Sequence, residues 1–262
     1  MAASSSFTSS ESDSENDEQD LIEYYFSRDG YGCIDGWSRK IIWLHVARSN
    51  NKPEIPASFY LQSVQTYGCP VKLRSDCGTE NGIMAGMQCE FRSSGDAHFF
   101  GTSPANQRIE SWWFQFRKNR STWWINYFKD LCERNLFNPD NDLEKECMWF
   151  CFSDVIQNDL NYVKEQWNTH RIRDSKHDTI PGIPDELYYF PEKKGGIDNL
   201  YLPVPAEQIQ FVQENLLQFE EEENIMQEYF NHIFETSRLQ QPNNWEEAEQ
   251  LYSVLMGIAN GT

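Results

Sequence analysis

Two carboxylates stand out by their surroundings. Asp76 lies in the run Arg74-Ser75-Asp76-Cys77-Gly78-Thr79-Glu80-Asn81, directly after the short apolar segment Pro70 to Leu73. A strand followed by a glycine-bearing loop is expected to leave that carboxylate exposed at the strand's open end. Glu110 follows after 33 intervening residues, in Ser103-Pro104-Ala105-Asn106-Gln107-Arg108-Ile109-Glu110. Ser103 and Pro104 read as an N-cap and first helical residue, which places Glu110 in the second turn of a long helix. Carboxylates brought together from a strand end and a helix can hold a divalent cation, and the chemistry such a site performs is phosphoryl transfer.

The elements that must position them alternate. Residues 21–27 read as a strand or short helix, and two short β segments follow, Cys33 to Gly36 and Lys40 to Ala47. The second contains Ile41, Ile42, Trp43, Leu44 and Val46, the pattern of a central buried strand. Pro53 to Tyr67 reads as a helix closed by Gly68, with Ile55, Phe59, Leu61 or Gln62, and Val64 on one side. A strand from Pro70 to Arg74, a helix from Gly82 to Phe91, an edge strand from His98 to Phe100 and the long helix from Ser103 complete a mixed α/β sheet flanked by helices.

Beyond Glu110 the chain reads as helical to about His170, with a break at Asn138-Pro139-Asp140-Asn141. Its aromatic residues are expected mainly in helix-to-helix core, since Ile109, Trp113 and Phe116 share one face; any exposed ones could stack on bases. Arg171 to Pro191 reads as a connecting arm, Ala206 to Tyr229 as a helix, and Asn244 to Ile258 as a final short helix. Three regions result: a Ser-rich acidic tail over 1–20 expected to be disordered, a domain over 21–190, and an acidic helical region over 191–262.

The formal charge of −19 is unevenly spread. Residues 1–23 carry seven acids and no base, and 201–262 carry eleven acids and one base. The intervening residues are nearly neutral, so a basic face there is compatible with nucleic acid. The block Glu220 to Glu223 reads as a solvated face or as a site for a basic partner. No apolar run reaches membrane-spanning length, and the acidic N-terminus lacks the character of a signal peptide, so an intracellular protein with reduced thiols is expected. Cys147 and Cys151, set among Met148, Trp149, Phe150 and Phe152, read as core residues.

The segments Gly32 to Ile42, Leu73 to Asn81 and Asn106 to Glu110 resemble the integrase core domain of transposon-derived animal proteins, relatives of retroviral integrases and DDE transposases. Asn138 to Asn141 and Trp167-Asn168-x-His170 resemble the downstream helical region of that group, so the likeness spans roughly residues 31–190. It implies a ribonuclease H-like fold in which three carboxylates hold two Mg²⁺ or Mn²⁺ ions that cut or join DNA strands.

Under the resemblance Asp76 matches the second carboxylate and Glu110 the third, while Glu80 and Asn81 lie beside the site. The first carboxylate is open between Asp20, near the expected first strand, and Asp35, whose other role is to hydrogen-bond the backbone of the Gly36-Trp37-Ser38 turn. Asn106, Glu110, Arg117 and Ser121 fall on one face of a regular helix; with Lys118 and Arg120 that face could meet a phosphate backbone, or be an ordinary solvated one. The resemblance further implies DNA as partner, a nuclear rather than cytoplasmic site of action, and self-association. Two functions are therefore weighed: a metal-dependent polynucleotidyl transferase, and a catalytically silent module keeping the fold.

Overall fold

A computed structural model describes residues 31–48, 52–101, 107–174, 180–196, 201–217 and 224–261, with the side chains of 107–111 and 118–119 excepted. The expectations for the tail, for residues 21–27 and for Asp20 lie outside the described residues.

β1 (Tyr31–Ile34) and β2 (Ile41–His45) form an antiparallel pair joined by the Asp35–Lys40 turn. α1 (Glu54–Tyr67) follows and stops at Gly68, whose φ of 93° suits a residue without a side chain. A Cβ there would also stand 2.8 Å from the Leu202 carbonyl oxygen. Next come β3 (Cys69–Pro70), β4 (Leu73–Ser75), α2 (Gly82–Arg92) and β5 (His98–Phe100). β4 and β5 pair in parallel, Leu73 opposite His98 and Ser75 opposite Phe100, with α2 as the crossover that parallel pairing requires. α3 (Gln107–Phe116) leads through a π-helical turn, Arg117–Ser121, into α4 (Thr122–Glu133).

α5 (Asp142–Thr169) is the spine. Asn141 caps it by accepting from the Leu143 and Glu144 amides, so the expected break over 138–141 is the gap between α4 and α5. α6 (Pro184–Tyr189), β6 (Tyr201–Leu202), α7 (Ala206–Leu217), α8 (Ile225–Thr236) and α9 (Trp245–Ala259) complete the order. A single helix over 206–229 is not what forms. Asn224 leaves helical geometry and its side chain accepts from the Met226 and Gln227 amides, starting α8 afresh.

Two apolar clusters lie on opposite faces of β2. Ile41 and Leu44 pack with Trp112, Trp113, Phe128, Phe152, Phe230 and Leu255, whereas Ile42 and Trp43 pack with Tyr60, Leu61, Val64, Leu73 and Met84. Strict alternation would put Ile41 and Trp43 on one face. The register shift between Cys33 and Ile34 makes Ile42 an extra residue, and that bulge reverses the parity. Cys147 and Cys151 are fully buried, in line with their reading as core residues.

β2 is buried as expected, but among the described residues it has a strand on one side only. Its outer edge is met by α5. The Asn168 amide accepts from Ile41 N at 2.8 Å and donates to Ile41 O at 2.9 Å, while Gln157 accepts from Val46 N and donates to Leu44 O, both at 3.0 Å. Eleven residues is close to three turns, so both amides project from one side of the helix.

The segment after α5 straps across the β1–β2 turn. Lys40, 6% exposed, pairs with Asp185 and lies 5.3 and 4.7 Å from the Tyr188 and Tyr189 ring centres. Lys40→Met keeps the stem and removes the charge. It is expected to cost about 1–3 kcal/mol, measured by urea denaturation, because Asp185 loses its partner and two rings lose their cation.

Candidate functional site

Asp76 follows β4 directly. Its carboxylate is buried rather than exposed, at 7%. The reason is the 3₁₀ turn Thr79–Asn81, which folds the chain back over the strand end. Asn81, fully buried, donates from Nδ2 to Asp76 Oδ1 at 2.6 Å and to Glu80 Oε1 at 3.2 Å. One amide group thus gathers two carboxylates. Gly78 makes room, since a Cβ there would fall 2.0 Å from Glu80 Oε1.

The strand end is fixed from behind. Ser75 Oγ donates to the Asp76 carbonyl oxygen at 3.0 Å and lies 3.1 Å from His98 Nε2 on β5. Gln88 of α2, also fully buried, donates to the Pro70 and Ala97 carbonyls and accepts from Tyr60, clamping the approaches to β4 and β5 together. Burial holds the His98 imidazole below its ordinary pKa, and burial does the same to His45, stacked 4.2 Å from Phe59. A histidine depressed in the folded state gives stability that is fully present above the unfolded value of about 6.5 and drains away as pH falls through the folded one. Melting temperature should therefore drop on acidification below about pH 6.5, and His98→Gln, which keeps a nitrogen near Ser75, should flatten that slope.

β1 enters beside this site. Burial first, and then the negative charges of Glu80 and Glu54, push the Tyr31 phenol far above its usual range. Tyr31 thus feels the charge of Glu80. Asp35 stands past the other end of β1, about 13 Å from Tyr31 along the strand direction. Its Oδ1 accepts from Trp37 N at 3.2 Å, Ser38 N at 2.7 Å and Ser38 Oγ at 2.6 Å. That is the turn-forming role open to it in the sequence.

Glu110 belongs to the first turns of α3, but its side chain lies outside the described residues, as do Asn106 and the side chain of Lys118. The single helical face expected to carry Asn106, Glu110, Arg117 and Ser121 assumes a regular α-helix, and the π turn at Arg117–Ser121 breaks that spacing. Arg120 is engaged: it pairs with Asp159 at 3.4 Å and lies 5.5 Å over the Tyr162 ring.

The donors present suit a hard divalent cation. Asp76 and Glu80 offer carboxylate oxygens, and Asn81 Oδ1 is a buried acceptor without a hydrogen-bond partner. An oxygen-only set of this kind is what Mg²⁺ or Mn²⁺ takes. Among the described residues no three His, Cys, Asp or Glu side chains converge. Sequence reasoning assigned Asn81 only a place beside the site. The signal for its role was an amide five residues after Asp76 in a segment rich in turn formers.

A protein-family model described as an integrase core domain matches residues 17–190, the larger part of the chain. No curated protein and no solved structure matches it.

Proposed function

This chain belongs to the integrase core domain family, and from that premise we propose that it binds DNA and processes it by metal-dependent polynucleotidyl transfer of the DDE type, in a ribonuclease H-like arrangement of mobile-element ancestry. The observation that carries the reading is the Asp76–Asn81–Glu80 cluster at the end of the parallel β4–β5 pair. Asp76 and Glu110 are assigned as metal ligands. When bound, two divalent ions supply activation of the attacking hydroxyl and neutralisation of the leaving oxygen. Asn81 holds the Asp76 carboxylate in one rotamer, and Ser75 with His98 fixes the backbone that carries it. The first carboxylate is assigned to Asp20, which lies where the family resemblance expects it, ahead of Tyr31 in the sequence. A nuclear site of action and working multimers accompany a DNA substrate on this reading.

Purified protein with Mn²⁺ and end-labelled DNA tests it: nicking or joining is expected, and neither occurring with any divalent metal would remove the catalytic assignment. The three hydrogen bonds that occupy Asp35 favour a second reading, a DNA-binding module that keeps the fold without catalysis. Metal-independent DNA binding without cleavage would single it out.

A further inference from the structure

A cleft of about 350 Å³ opens between the α3–π junction and the C-terminal half of α5, with Asp76 not among its lining residues. That volume is at the lower end of ligand-sized pockets, roughly 300–1,000 Å³. One wall is Trp112 with Phe116 stacked on it, centroids 5.2 Å apart and planes 10° from parallel. The opposite wall carries Tyr162 and Trp167. Trp167 stands at 81° to Trp112, and its indole N–H donates to the Arg39 carbonyl at 2.7 Å, so the ring cannot turn.

The π turn helps to build this cleft. Trp112, Phe116 and Arg120 are spaced by four, and in a regular α-helix, at about 100° per residue, Arg120 would stand some 80° round from Trp112. A π turn winds less per residue and takes much of that rotation back, so Arg120 lines the same cleft. Its guanidinium covers Tyr162 at the rim. Gln115 and Gln166 line the cleft too, and neither side chain makes a hydrogen bond among the described residues.

Flat aromatic walls and two unpaired amides carrying both donors and acceptors match the faces and edges of one nucleobase, while the guanidinium at the rim is already paired with Asp159. Just past His170, at the end of the cleft, Arg171 and Arg173 are exposed, which favours an anionic strand over an acidic peptide of mixed charge. We infer that this cleft receives a single unpaired nucleobase of a DNA strand, stacked against Phe116 and Tyr162 with its edge read by Gln115 and Gln166. The inference rests on the DNA-binding reading above and adds to it a base-dependent contact made by residues outside the Asp76–Asn81–Glu80 cluster.

The test compares two duplexes, one with a single extrahelical thymidine and one with an abasic unit at that position, bound to the full chain without divalent metal and followed by fluorescence anisotropy. Binding to the thymidine duplex is expected to be about tenfold tighter, as one base stacked on aromatic side chains provides. The double variant Tyr162→Ala, Gln166→Ala alters two exposed side chains and should erase that difference while leaving affinity for the abasic duplex unchanged. Equal binding of both duplexes by the parent protein, or a difference that survives the double variant, overturns the nucleobase assignment and leaves DNA binding standing. Failure to bind either duplex overturns both readings, and uptake of a Glu- and Phe-containing peptide in that case would identify the cleft as a protein-docking site.

Discussion

Asp76→Asn is expected to abolish manganese-dependent nicking and joining, by about a thousandfold or more, since a metal-binding carboxylate contributes several kcal/mol to the transition state and each 1.36 kcal/mol is about tenfold. The fold should barely notice. Asparagine keeps an oxygen where Asp76 Oδ1 accepts from Asn81, and the side chain fills the same volume. A second readout separates metal binding from turnover: Mn²⁺ should raise the melting temperature of the parent protein by linkage and leave that of the variant unmoved. Activity that persists in the variant would detach Asp76 from the chemistry.

Asn168→Leu should be the most damaging single change to the fold. Ile41 is 2% exposed, and both its amide N–H and its carbonyl depend on the Asn168 side chain. Leaving two buried backbone groups unpaired costs about 1–3 kcal/mol each, a large share of a typical stability of roughly 5–15 kcal/mol. Gln157→Leu removes the equivalent pair at Leu44 and Val46, where the contact is part-exposed, and should cost less. Asn168→Asp keeps the acceptor for Ile41 N but sets a charge against Ile41 O, so it should fall no closer to the parent than leucine does. Urea denaturation of the three variants would rank them, and an Asn168→Leu loss below that of Gln157→Leu would refute the assignment.

Local elements were legible wherever one segment contained its own cause. Gly68 ends α1, Asn141 starts α5, and Asp35 folds its turn through bonds to Trp37 and Ser38, all within reach of pattern and capping chemistry. Contacts made between distant segments were not. That Asn168 and Gln157 would serve a strand more than 100 positions earlier leaves no trace in either segment, because an amide facing solvent and one facing a strand edge occupy a helix with the same periodicity. Tyr60 was missed in the same way: the expected apolar face of α1 ran through Phe59, whereas the fully buried ring is Tyr60, made tolerable by Gln88 as partner for its hydroxyl. Asp76 was singled out as a candidate by its neighbours in sequence, but its burial depends on Asn81 folding back, a property of a turn rather than of a pattern.

The π turn at Arg117–Ser121 has a consequence for what this region can lose or gain. A π turn amounts to one residue inserted into an α-helix. Deleting Asn119 would let the helix run on regularly from Gln107 to Glu133, and because the π turn already winds about one residue's rotation less, everything after it would keep nearly its present orientation relative to α3. Trp112 and Trp113 on one side of the turn and Phe128 and Leu131 on the other now point into one core. After such a deletion the two halves could still reach it together. A residue lost at this turn is thus absorbed in phase, whereas one lost or gained in the regular stretches on either side would rotate one half by about 100° against the other.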